Sequence, residues 1–268
     1  MAMNSTWVVD GHFATLSYHQ LRGKLDLLDP ARGLHDLRWG DRMLSAARTL
    51  LGLSFETRTP LNPQLLLEAY ARQTDLVVSY ATSPQRDVGI QVYWRALQHE
   101  ALGIVVPVLD MQASVQTALL DSMPTVYTYN VAHARELWRP RDEHARDWNQ
   151  VWRVGQPSFL LDGPSHPGCW LFKLDQVQRD GATTEPGTEP LSLLVMVQPR
   201  DLHLGRAIVD PAEPQRVAIV CQLLHEHLEK GVIRRVWQRA AILDSSRDRD
   251  VAGELYREFA ETEPSLTV

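Results

Sequence analysis

The stretch from Leu223 to Leu243, LLHEHLEKGVIRRVWQRAAIL, concentrates side chains that could do chemistry. His225 and His227 are two residues apart, so a strand would place both imidazoles on one face with their Cα atoms roughly 6.5 Å apart. Two imidazoles at that separation can share a metal ion, but the pattern is not HExxH and the spacing supplies no third ligand. We therefore predict no metal site here.

The second half of this stretch offers a different chemistry. Arg235, Trp237 and Arg239 alternate as R-x-W-x-R, so a strand would align them on one face. An indole can stack on the apolar face of a sugar ring, while arginine and histidine donate hydrogen bonds to hydroxyls or a carboxylate. The competing interpretation is that Trp237 packs beneath a neighbouring segment and that the arginines only solvate the surface.

The conformation of the stretch decides between these interpretations. Residues 213–230 fit a helix that Gly231 would cap, and they also fit the first strand of a hairpin. The β-branched residues Val217, Ile219 and Val220 favour the strand. We therefore predict two strands joined by a short loop.

The predicted hairpin has a definite register. A loop at residues 229–231, with its glycine in the left-handed conformation, would place Glu226 opposite Arg234 in a cross-strand ion pair. The same register would place Arg235 opposite His225, on the face that carries the tryptophan. A guanidinium at that position would oppose the binding of a metal cation.

Two other segments place acid, base and cationic groups close together. In VYWRALQHE, Arg95, His99 and Glu100 fall at a strand end, where β-sandwich proteins often build their sites. In QPRDLHLG, Asp201 and His203 follow a strand and could act as base and acid, although a turn aspartate and a surface histidine are the simpler interpretation. The candidate ligand-binding residues are therefore His225, His227, Arg235, Trp237, Arg239, Arg95, His99, Glu100, Asp201 and His203, with the catalytic residues unassigned.

Alternation of period two dominates the segments that must position these residues. EAYARQTDLVVSYAT breaks at residues 73–75 as a hairpin would, and RDVGIQVYWRAL continues it into a meander. Further strands are predicted in GKLDLLDPARGLHDLRW, MQASVQTALLDSMPTVYTYNV, GCWLFKLDQV and LSLLVMVQ, the last two separated by the loop-like QRDGATTEPGTEP.

Helical spacing is scarce. RDVAGELYREFAETEP near the C-terminus has apolar residues at i, i+4 and i+8, with Asp250 as the expected N-cap. RPRDEHARDWNQVW is a weaker second candidate. We therefore predict an all-β protein, a large antiparallel two-sheet β-sandwich with one or two short helices, including a C-terminal one, in a single domain over residues 1–268.

Composition narrows the function classes. The 268 residues carry a net charge of -6, which argues against nucleic acid as a partner. The sequence contains no apolar run of about 18 residues and no basic, apolar leader at its start, so we expect a soluble cytoplasmic protein without a membrane partner. Cys169 and Cys221 are then expected to be free thiols, with a single disulfide as the alternative. No P-loop, GxGxxG or GxSxG motif occurs, and no cofactor is expected.

Three stretches, LEKGVIRR, QTALLDSMPT and LYREFAETEPSLT, carry a resemblance. On them the chain resembles an uncharacterised family of bacterial all-β proteins, which is loosely similar to carbohydrate proteins of the galactose-mutarotase-like (supersandwich) type. The resemblance implies a large antiparallel sandwich. Mutarotase-type enzymes use a glutamate base and a histidine acid, and no motif assigns either role to a residue of this sequence.

The predicted function is carbohydrate binding or carbohydrate processing, by cofactor-independent acid–base chemistry if the protein is catalytic. The alternative is a non-catalytic protein that binds another protein, or serves a structural role, through an exposed sheet face. Whether the protein is an enzyme and whether it forms a homo-oligomer are left open by the sequence.

Overall fold

The computed structural model describes residues 6–44, 46–55, 60–83, 87–161, 167–175 and 190–263. Within them lie twenty strands, three short 3-10 turns and one α-helix. The strands are β1 (Trp7–Asp10), β2 (Phe13–Tyr18), β3 (Leu21–Asp26), β4 (His35–Trp39), β5 (Arg42–Met43), β6 (Ala47–Ser54), β7 (Leu66–Arg72), β8 (Asp75–Tyr80), β9 (Val88–Ala101), β10 (Ile104–Thr117), β11 (Asp121–Ser122), β12 (Thr125–Pro140), β13 (Trp148–Arg153), β14 (Phe159–Leu161), β15 (Cys169–Leu174), β16 (Leu191–Val197), β17 (Leu204–Val209), β18 (Arg216–His225), β19 (Leu228–Glu229) and β20 (Ile233–Asp244), and the helix is α1 (Asp248–Glu261).

Thirteen strands form one hydrogen-bonded system that folds into two layers. The wide layer runs in the order β7-β8-β9-β10-β20-β16-β15-β12-β13, and the narrow layer runs β14-β17-β18-β12-β6. All of these pairings are antiparallel. Strands β1 to β5 form a separate five-stranded sheet. The predicted all-β, antiparallel sandwich is therefore confirmed.

Strand β12 belongs to both layers. Its residues 125–133 pair with β18, while residues 134–138 pair with β15. Register shifts occur along it, between Val126 and Tyr127 and again between Ala134 and Glu136. Such irregularities bend a strand, which is how one strand passes from one sheet to the next at the corner of a sandwich.

The main core lies between the layers, because alternate side chains of each strand point inward. On β9 the buried positions include Trp94, which packs in one cluster with Trp170 of β15, Ile219 of β18 and Leu16 of β2. The wide layer, the narrow layer and the five-stranded sheet therefore all contribute to a single apolar core. The predicted meander of β7, β8 and β9 is confirmed within it.

A second core forms on the opposite face of the wide layer, which we call the outer face. Helix α1 lies on it, and its Val251, Leu255 and Phe259 pack with Trp237 of β20. This confirms the predicted C-terminal helix, although the helix begins at Asp248 and its N-cap position is Arg247 rather than Asp250. The Asp248 carboxylate accepts hydrogen bonds from Ser192 and Lys173, which anchors the first turn to the sheet.

The predicted hairpin of residues 217–243 is wrong in its pairing. Both of its strands exist, but β18 lies in the narrow layer against β12 and β17, and β20 lies in the wide layer against β10 and β16. The segment between them crosses from one layer to the other, and β19 within it pairs with β11. The expected ion pair survives, since Arg234 Nε lies 2.6 Å from Glu226 Oε1. Arg235, however, lies opposite Ser114 and not opposite His225.

The weaker helix prediction, over RPRDEHARDWNQVW, is also wrong. The segment is the end of β12, a turn, and β13, which pairs back onto β12. Tertiary pairing outweighs the local propensity there. The loop QRDGATTEPGTEP lies almost entirely outside the described residues. Within the described ranges, no helix has the length and apolarity that a membrane crossing requires.

Candidate functional site

Polar side chains cross the outer face of the wide layer in transverse rows. The registers of β9, β10 and β20 place Gln91, Ser114 and Arg235 in one row. Tyr93, Gln112 and Trp237 form the next row, followed by Arg95, Asp110 and Arg239. Side chains on one face of neighbouring strands contact each other, so each row forms a unit.

The row of Arg95, Asp110 and Arg239 continues to Asp75 on β8 and is held by two bidentate ion pairs. Arg95 donates from Nε and Nη2 to the Asp75 carboxylate at 2.6 and 2.7 Å. Arg239 donates in the same way to Asp110 at 2.7 and 3.0 Å. The hydrogen bond with Asp75 raises the pKa of Arg95 above its usual value. All four charges therefore have partners within the protein.

Helix α1 covers the buried end of this row. The Arg239 side chain is 3% exposed and lies against the rings of Trp237 and Phe259, at 5.4 and 5.0 Å from their centroids. Trp237 is itself 7% exposed and stacks edge-on against Phe259. Of the two interpretations of Trp237, the structure shows the one in which it packs beneath a neighbouring segment.

Beside the covered area, the outer face holds an open cavity of about 540 Å³. Its volume falls in the range of small-molecule sites. Arg235, Gln91, Ser114 and Gln116 provide polar groups from the sheet, and Lys230 reaches it from the segment before β20. The remaining described lining residues are Thr82, Gly89, Ile90, Thr117, Ala118, Gly231 and Ile233.

Hydrogen bonds orient part of this lining. Tyr93 Oη donates to Gln91 Oε1 at 2.8 Å, and Gln91 Nε2 donates to Ser79 Oγ at 3.2 Å. Arg235 Nε is buried and has no hydrogen-bond acceptor within the described part of the chain. The Gln112 Nε2 group, one row away, is in the same condition. The cavity thus combines fixed amide and hydroxyl groups with two cations, Arg235 and Lys230.

The remaining histidine candidates are dispersed. The His225 ring lies 5.1 Å from that of His203, both exposed at one end of the narrow layer. His227 Nδ1 lies 3.0 Å from Asp121 Oδ1 in the segment between the layers. His99 Nδ1 contacts Glu258 Oε1 of α1 at 2.9 Å. Across the described ranges, no three His, Cys, Asp or Glu side chains are grouped so as to hold a metal ion.

The predicted acid–base pair of Asp201 and His203 is not brought together. Asp201 is buried, accepts a hydrogen bond from the Trp237 backbone N–H at 2.8 Å, and lies 3.1 Å from Arg234 Nη2. Burial raises the pKa of this carboxyl from 3.8 to about 6, against the opposing effects of Arg234 and the Trp237 N–H. Asp201 therefore faces inward, whereas His203 turns to His225.

Of the ten candidate residues, only Arg235 lines the cavity, and Glu100 is exposed at the far end of β9. Gln91, Ser114 and Lys230 were not predicted. The alternation on β9 put Gln91 on the face of Arg95, which was a usable signal. The sequence did not show that β9, β10 and β20 pair with one another, and only that pairing brings Gln91, Ser114 and Arg235 together.

No protein-family model matches the sequence, and no curated protein sequence is detectably similar to it. Among solved structures, Slr1438 from Synechocystis sp. PCC 6803 is similar with a TM-score of 0.51 and 10% identity, over 91% of this chain and all of the other. The GH36 α-galactosidase AgaB from Geobacillus stearothermophilus gives 0.49 and 10% identity over 92% of this chain. An Escherichia coli K12 protein described as a candidate aldose 1-epimerase gives 0.48 and 10% identity, over 86% of this chain and 98% of the other.

These similarities concern the fold. The chain spans 42% of the α-galactosidase AgaB and the full length of Slr1438. At 10% identity, a shared sandwich says nothing of shared activity. The similarity to Slr1438 agrees with the fold that the predicted resemblance implies, a large antiparallel sandwich.

Proposed function

We propose that this protein binds a carbohydrate in the cavity beside α1. The observation that carries the proposal is the composition of the lining. Amide and hydroxyl groups of Gln91, Ser114 and Gln116 can exchange hydrogen bonds with sugar hydroxyls, and the exposed aliphatic side chain of Ile233 can pack against the apolar face of a ring. A saccharide presents this mixture of surfaces.

The groups are also preorganised. Gln91 is held from both sides by Tyr93 and Ser79, so its amide does not have to be ordered when a ligand arrives. Three neighbouring strands of the wide layer supply the floor, and a floor built on strands is more rigid than one built on loops. The alternative function, protein binding through an exposed sheet face, stays a prediction, and α1 covers part of that face.

The test is a saccharide panel followed by NMR in ¹⁵N-labelled protein. We expect a neutral or charged mono- or disaccharide to shift the amide signals of Gln91, Ser114 and Arg235. The variant Ser114→Phe fills the cavity and should abolish the shifts. The matched variant Ser17→Phe, at an exposed position of β2, should leave them unchanged. A panel without any binder, or binding that survives Ser114→Phe, would contradict the proposal.

A further inference from the structure

The arginines near the cavity form ion pairs with carboxylates of the protein, with one exception. Arg95 pairs with Asp75, and Arg239 pairs with Asp110. Arg234, the immediate neighbour of Arg235 on β20, contacts both Glu226 and Asp201. The protein as a whole carries a net charge of -6, so its carboxylates outnumber its lysines and arginines.

Arg235 is the exception. Its side chain is half-buried in the cavity, and no described carboxylate lies within ion-pair distance of it. Its Nε is enclosed without an acceptor, and a buried donor without a partner costs free energy. Lys230 adds a second positive charge to the same lining, and none of the described lining residues is acidic.

We infer that the cavity selects an acidic saccharide, one that carries an anionic group on the sugar. This inference rests on the proposed function and names the ligand class for the same site. The Arg235 guanidinium offers parallel N–H donors that match a carboxylate or phosphate oxygen pair, and such charge-assisted bonds are about twice as strong as neutral ones. Lys230, exposed in the same lining, is a second cation, and Gln91 and Ser114 can hydrogen-bond the hydroxyls.

Calorimetric titration with matched ligands tests the charge directly. Methyl galacturonoside is compared with its own methyl ester, which has the same ring and no charge, and with methyl galactoside. We expect the acid to bind roughly ten- to hundredfold more tightly than the ester, with the difference shrinking as salt is added. A galactose 6-phosphate arm identifies which anionic group is preferred, and tighter binding of either anion than of the ester supports the inference.

Matched variants locate the effect. Arg235→Gln should reduce the preference for the acid over the ester to within about threefold, because the amide keeps hydrogen-bonding capacity but not charge. Lys230→Gln, at an exposed position, should produce a smaller loss in the same direction. Arg206→Gln, at an exposed position of β17, changes the net charge equally and should have no effect.

The outcomes separate the two proposals. Equal binding of acid and ester overturns the acidic-ligand inference and leaves carbohydrate binding intact. A preference for the acid that persists in Arg235→Gln and Lys230→Gln, with both variants folded by circular dichroism, also overturns it. Failure of every saccharide to bind overturns both.

Discussion

The buried ion pair between Asp110 and Arg239 gives the sharpest stability prediction. Their side chains are 7% and 3% exposed, and the two hydrogen bonds between them are bidentate. Asp110→Asn keeps the volume but removes the negative charge, and Arg239 then stays under α1 between the Trp237 and Phe259 rings without compensation. We expect the free energy of unfolding to fall by about 3 kcal/mol, since an unpaired buried charge costs about 3 to 5 kcal/mol.

The reverse substitution should cost less. In Arg239→Met, the remaining Asp110 still faces Arg95 on the next strand, whose charge already interacts with it. The double variant Asp110→Leu with Arg239→Met replaces the pair by apolar groups, and we expect it to lie within about 1 kcal/mol of the natural protein. The control is Asp75→Asn, which breaks the same kind of pair where it is 18% to 26% exposed and should cost about 1 kcal/mol.

Urea unfolding followed by circular dichroism, with linear extrapolation to zero denaturant, measures all four free energies. Two results would refute this reasoning. If the double variant loses as much stability as Asp110→Asn, or if Asp110→Asn costs no more than Asp75→Asn, the two charges are not a mutually dependent buried pair.

Three further predictions follow from buried or crowded groups. Burial raises the pKa of Asp201 in the folded protein from 3.8 to about 6, so the folded state holds this proton more tightly than the unfolded state does. The stability that this group contributes is therefore complete below pH 4 and falls by about 3 kcal/mol as the pH rises through 6. Asp201→Asn should flatten that part of the plot of urea midpoint against pH, and an unchanged slope would contradict the assignment. Gly33→Ala should lower the free energy of unfolding by about 2 kcal/mol more than Gly40→Ala does, as measured by thermal or urea unfolding. Both glycines have φ near +60°, but only at Gly33 would a Cβ lie 2.5 Å from a carbonyl oxygen, that of residue 50. Equal losses would show that the backbone at Gly33 shifts to make room for the Cβ. Burial raises the pKa of the Cys221 thiol to about 12 and also raises the pKa of Cys169. A thiol reagent at pH 8 should therefore modify neither cysteine in the native protein and both cysteines in urea. Rapid modification of the native protein would contradict their enclosure.

Much of the fold could be predicted from local pattern. Period-two alternation identified the strands of the meander, and helical spacing identified α1, because both patterns record which side of an element is buried. The failures concern partners. Residues 216–225 and 233–244 have the alternation of a hairpin, yet the segment between them passes from layer to layer, and nothing in either strand states which sheet it joins.

The same limit applies to the candidate site. Arg235 was identified by its type and face, but Trp237 and Arg239 share that face and are covered by α1. Only a short turn separates β20 from α1, so the sequence could suggest that the helix lies on this strand. Which residues of β20 the helix covers depends on how it docks. Lys230 approaches the cavity because its segment crosses between the layers, which is again a matter of long-range pairing.

The sharing of β12 restricts how the chain length can vary. A single inserted or deleted residue near the middle of this strand would exchange inward-facing and outward-facing side chains along half of its length, because strand periodicity is two. Four neighbours, β6, β18, β13 and β15, would have to be re-registered together. We therefore expect natural variants of this protein to tolerate changes of length in the connections of the sandwich, and to hold residues 125–140 at a constant sixteen.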